Sequence, residues 1–177
     1  MITPILRGVC LNLDRLISLS GKAASLLMPV LAFVVAFEVF SRYILNNPTI
    51  WGFDLSLFMF GYVAALGGAN AQLKRAHINV DILYIKVSRK TRCLFNLVSF
   101  SLGIFFLLVI IYVCFGKYEE AIELDYRRES EWAPPMFHFW IMMIVACSLY
   151  IAQLLRDIVV EIYFLSTSKE LIEEGEL

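Results

Sequence analysis

Four apolar stretches dominate this chain, at about Ala23 to Phe40, Trp51 to Leu73, Leu94 to Phe115 and Pro135 to Leu155, each of 18 to 23 residues. A helix rising ~1.5 Å per residue needs about 20 residues to cross ~30 Å of hydrocarbon, so each stretch can span a bilayer once. Windows such as "AASLLMPVLAFVVAF" and "LFNLVSFSLGIFFLLVIIYVCF" hold no Asp, Glu, Lys or Arg. Of the 177 residues 60% are hydrophobic, above the ~45–50% of soluble domains, and a soluble core of this size has no room for the excess. The expected fold class is an all-α integral membrane protein with four transmembrane helices. A cleaved signal peptide is the alternative for the first stretch. Its polar lead-in is long, however, its apolar run exceeds the ~7–15 residues of such a peptide, and no clear A-x-A site follows. A retained helix is expected.

Lys and Arg fall unevenly between the spans. Residues 1–22 carry Arg7, Arg15 and Lys22, the second connection carries Lys74, Arg75, Lys86, Arg89, Lys90 and Arg92, and the tail carries Arg156 and Lys169. The opposite side holds Arg42, Lys117, Arg127 and Arg128. Because basic loops stay inside, both termini are expected to be cytoplasmic. Residues 1–165 form a single four-helix membrane domain in this reading, and 166–177 a frayed, acidic cytoplasmic tail.

The two outer connections differ. Residues 41–50 allow only a tight hairpin, whereas residues 116–134 hold six acids, Glu119, Glu120, Glu123, Asp125, Glu129 and Glu131, against three bases. Such a loop is either a solvated face or a docking surface for a soluble partner. On the inner side, "KRAHINVDILYIKVSRKTR" is too polar to cross. Ile78, Ile82 and Ile85 fall at i, i+4 and i+7, with bases at both ends, which predicts an amphipathic helix lying among anionic headgroups of the membrane lipids. An extended loop with alternating Ile78, Val80 and Ile82 is the competing reading.

Enzymatic chemistry finds little support. Cys10, Cys93, Cys114 and Cys147 are isolated, without a C-x-x-C, which argues against metal binding and disulfide exchange. The two histidines, His77 and His138, are expected on opposite sides of the membrane, where they cannot share a haem. No nucleophile, base or phosphate-cradling loop appears, and no cofactor or nucleic acid is expected. Ionisable residues inside spans are costly in hydrocarbon and need a partner or water. Glu38 and Arg42 share a helix face four residues apart, and Asp54 lies across the short hairpin. The expected role is a structural clamp in which Glu38, Arg42 and Asp54 fix the hairpin and Trp51 sets its depth; a proton or coupling-ion site is the alternative. Gly61, Ala65 and Ala69 repeat every four residues, with Ala64 and Gly68 beside them, a stripe that lets another helix approach closely within the chain or in another subunit. Trp132 and Trp140 are candidate anchors at the outer interface.

Read together, "RYILNNPTIWGFD" and "GYVAALGGANAQLKRAHINVDIL" resemble the small membrane subunit of tripartite ATP-independent periplasmic (TRAP) transporters. The pattern of that family is roughly R-Y-x-F-N-x-P, then W-x-x-E, a Gly/Ala-rich helix and H-I-x-V-D. Arg42, Tyr43, Asn46, Pro48, Trp51, Gly67, His77, Ile78, Val80 and Asp81 match it. Asp54 departs from the commoner Glu, and "ESEWAPP" looks like a variant seen in some branches. The resemblance implies a bacterial inner-membrane importer of organic anions, carboxylates or sulfonates. In such systems a soluble periplasmic binding protein delivers substrate, and a large membrane subunit carries substrate and sodium in an elevator motion. The small four-helix subunit serves as scaffold and widens the docking platform. Glu129, Glu131 and Trp132 would then help receive the binding protein. Two other classes stay open from the residues: a self-sufficient proton-coupled small exporter using Glu38, and a quinone or haem membrane anchor.

Overall fold

The structure, a computed structural model, describes residues 2–76, 87–167 and 171. Among these residues four helices form, α1 (Ile2–Tyr43), α2 (Gly52–Leu73), α3 (Arg89–Glu123) and α4 (Phe137–Thr167). Each is long and apolar enough to cross a membrane. No strand forms among the described residues, only an isolated bridge between Arg127 and Pro135. His77, Asp81, most of the expected interfacial helix and nearly all of the tail lie outside the described residues.

Three helices outrun the spans expected from apolarity. α1 has 42 residues, α3 35 and α4 31, or roughly 63, 52 and 46 Å against ~30 Å of hydrocarbon. The polar lead-in before Ala23 is therefore helix. Pro4 falls in its first turn, where no intrahelical donor is lost, and Pro29 stands inside the span, as membrane helices tolerate.

The ends are set by local chemistry. Ser88 caps α3, its Oγ accepting from Thr91 N at 3.3 Å. α2 and α3 each close on a residue of positive φ, Arg75 at 50° and Asp125 at 44°. The next amide reaches back in both cases, Ala76 N to Ala71 O at 2.8 Å and Tyr126 N to Ala121 O at 3.1 Å, the six-to-one bond of a Schellman ending. The α1–α2 hairpin turns at Asn46, φ 50°, a residue type that tolerates this conformation. Because α3 runs on to Glu123, the α3–α4 connection is residues 124–136, shorter than expected, and the first three of the six acids stand on helix. Pro134 and Pro135 do not open α4. Arg128 N donates to Pro134 O at 3.0 Å and Met136 N to Tyr126 O at 3.2 Å, so both prolines belong to a small return loop.

Packing places the helices in the order α1, α2, α4, α3, with a slighter α1–α4 contact. α3 is an edge helix. Its Leu107 packs on Cys147 and Leu154 of α4, while Leu102, Phe105, Phe106 and Tyr112 point away, Tyr112 at 81% exposed. Such a face is stable when the surrounding solvent is hydrocarbon.

Candidate functional site

Ionisable side chains gather at the two ends of the bundle. At the α1–α2 turn, Arg42 Nη2 lies 2.5 Å from Glu38 Oε1 and Nε donates to the same oxygen at 3.1 Å. The other oxygen accepts from Thr49, through its amide at 3.1 Å and through its hydroxyl. Thr49 Oγ1 in turn accepts from Gly52 N at 3.2 Å, which satisfies a donor at the start of α2. Trp51 stacks on Phe37 of α1 with centroids 6.0 Å apart. Glu38, Arg42 and Trp51 are thus brought together, with Thr49 as a partner that the sequence reading omitted.

Asp54 is not part of this group. The sequence reading set it opposite Arg42; the structure turns it to the α3–α4 connection. Arg128 Nε lies 2.7 Å from Asp54 Oδ1, off the hydrogen-bond direction, and Ser130 donates its hydroxyl to Oδ2. Helix geometry explains the difference. A β-carbon on Gly52 would lie 2.9 Å from Glu38 Oε2, so Gly52 faces α1, and two further residues rotate Asp54 by about 200°.

The same rotation divides the small-residue stripe. A β-carbon on Gly61 would come 2.9 Å from Phe139 of α4, and one on Gly68 would come 3.5 Å from Tyr150. Ala65 is half-buried and Ala69 buried, whereas Ala64 is exposed. A β-carbon on Gly67 would meet nothing within 4 Å. Gly61 and Gly68 therefore line an intrachain α2–α4 seam, with Ala64 on the open face beside Phe53, Leu57 and Phe60. The seam also holds Tyr62 Oη 2.5 Å from His138 Nδ1, with Phe58 edge-on to that imidazole at 4.8 Å.

The opposite end carries two clusters that the sequence reading missed. Arg156 Nη2 lies 2.7 Å from Asp14 Oδ2, the two side chains 9% and 8% exposed, and Nη1 donates to Asp157 Oδ1 at 3.1 Å. Gln72 and Gln153 donate to the two oxygens of Asp157 at 2.9 and 3.0 Å. One knot thus joins α1, α2 and α4. Between α3 and α4, Glu161 accepts from Asn96 at 2.6 Å and pairs with Arg89 at 3.1 Å, and Arg89 lies 4.6 Å over the Phe164 ring. Counting Arg156 only for topology hid this knot; the acids and amides toward the same end of three helices were its available signal.

Glu129 and Glu131 are exposed, and Trp132 is 40% exposed. All four cysteines are free and buried.

Comparison with known proteins adds the family. Residues 31–162 match the family described as "Tripartite ATP-independent periplasmic transporters, DctQ component". The chain is 27% identical over 88 residues to the sialic acid TRAP transporter small permease protein SiaQ of Vibrio cholerae serotype O1, a match covering 50% of this chain and 47% of that protein. It is 29% identical over 79 residues to the sialic acid TRAP transporter permease protein SiaT of Haemophilus influenzae, covering 45% of this chain and 12% of that protein. The matched stretch is thus less than half the length of either relative. The chain belongs to the DctQ component family of the TRAP transporters, and is a small subunit of multi-pass, inner-membrane type and a transport protein rather than an enzyme.

Proposed function

We propose that this chain is the scaffold subunit of a sodium-coupled, binding-protein-dependent importer of organic anions. It braces a large permease that carries substrate and sodium in an elevator motion, and it adds to the outer platform on which the periplasmic binding protein docks. The observation that carries this reading is the absence of acidic and basic side chains, Asp, Glu, Lys and Arg, from the middle of every span. No Asp, Glu, Lys or Arg lies between Lys22 and Glu38, Asp54 and Lys74, Arg92 and Lys117, or Glu131 and Arg156. Carrying an anion and a cation needs polar groups near mid-depth. Glu38, the carboxylate that a self-sufficient exporter would use, has both oxygens taken by Arg42 and Thr49.

The Haemophilus influenzae match supports a large partner, since its 79 residues make up 12% of a much longer permease. Both relatives are named for sialic acid, itself a carboxylic acid, which supports an organic-anion substrate class. In this reading Glu38, Arg42 and Trp51 hold the outer hairpin, and Ala64 and Gly67 lie on the face that meets the large permease. Glu129, Glu131 and Trp132 face the binding protein. The end bearing the Asp14–Arg156 knot lies in the cytoplasm, because the basic residues crowd there.

The test is affinity purification of the tagged chain from native membranes in mild detergent, with mass spectrometry of what accompanies it. A large polytopic permease in roughly equimolar amount is expected, and the chain alone in liposomes transports none of a panel of labelled carboxylates. A homo-oligomer that transports one of them unaided would overturn the proposal.

A further inference from the structure

Asp54 is 1% exposed, the most enclosed carboxylate at the outer end, and both its partners come from the distant α3–α4 connection. Arg128 pairs with one oxygen at 2.7 Å, and its guanidinium also lies 5.6 Å over the Phe53 ring. Ser130 donates to the other oxygen and, with the same Oγ, accepts from Ala133 N at 3.2 Å. One hydroxyl thus grips α2 and folds the tip of the connection. Ala133 stands at φ 48°, a conformation that residues with a β-carbon keep only when the surroundings hold it. Exposed Glu129, Glu131 and Trp132 sit between these fixed points. With Arg128 committed to Asp54, the platform presents two carboxylates and an indole to solvent.

We propose that Asp54 is a positioning residue for docking: a buried anchor on α2 that holds residues 129–132 in one pose before the binding protein arrives. This rests on the reading of that connection as a docking surface. The physical reason is entropic. A loop ordered in advance does not lose its conformational freedom at the moment of association. Asp54 never touches the partner; it acts through Arg128 and Ser130. The surface so presented fits a soluble protein with a basic rim around an apolar spot.

The experiment titrates the purified binding protein against the complex of this chain with its large permease in nanodiscs. Asp54→Asn and Ser130→Ala are expected to raise Kd about fivefold and to speed trypsin cleavage after Arg127 and Arg128. Recovery of the complex should stay as in the wild type even where its melting temperature falls, and the conservative Asp54→Glu should restore Kd to within about twofold, a split that a merely structural role does not produce. If Asp54→Asn does not assemble, Ser130→Ala decides alone. Unchanged Kd in these variants, alongside weakened binding by the Glu129→Lys/Glu131→Lys double variant, refutes the anchor and leaves the docking surface standing. Wild-type binding by that double variant removes the docking reading, and the anchor falls with it.

Discussion

At the residue scale, ion pairs in this chain differ in value according to how much water they keep. Lys117–Glu120 and Arg127–Asp125 are exposed, and pairs of that kind contribute little. Arg156 and Asp14 are nearly closed off, and a buried charge deprived of its partner costs about 3–5 kcal/mol. Arg156→Ala is therefore expected to destabilise the chain by about 3 kcal/mol, read as a lower melting temperature in detergent, while Lys117→Ala stays near wild type. Equal melting of the two variants would remove the Asp14–Arg156 knot as a stabilising element. The Glu38–Arg42 pair was legible in the sequence because its spacing lies along one helix. Asp14 and Arg156 were not, since 142 residues separate them and no local rule joins them.

At the element scale, α2 is one of the two central helices, and its rotation decides what each small residue does. Gly61 faces Phe139, so Gly61→Leu should force α2 and α4 apart and lower the yield of folded chain even when expressed alone. Gly67 faces open space. Gly67→Leu should leave the isolated chain's melting temperature unchanged and reduce recovery of the large permease by affinity purification. Identical behaviour of the two variants would contradict this division of faces. The spacing of small residues announced a packing helix, but spacing alone carries no absolute rotation, which is why Ala64 was grouped with residues that face α4.

At the scale of the whole molecule, α1–α2 and α3–α4 are hairpins joined mainly through α2 and α4, and α1 and α3 lie on either side of that pair. The start of α1 and the end of α4 lie on one side, that of the Asp14–Arg156 knot, where Leu6, Val160 and Tyr163 pack around Cys10. A cysteine placed by Glu129→Cys should react with a membrane-impermeant maleimide in intact cells, and one placed by Lys90→Cys only after permeabilisation. The four native cysteines are buried, so background labelling is low. The reverse pattern would invert the topology.

Apolar run length was enough for the sequence to determine four crossings and a membrane fold, because the hydrocarbon core imposes one length scale on every span. The order of motifs from Arg42 to Asp81 likewise pointed to the family. Apolarity measures only what must avoid water, so it stopped short of the true helix ends: polar turns before Ala23, after Phe115 and after Leu155 continue the helices beyond the hydrocarbon. Only the tertiary structure decided the partners of Asp54, Asp14 and Glu161. Each lies across from a different element, and which groups meet there depends on helix rotation and neighbour order, long-range quantities that no local pattern of residues encodes.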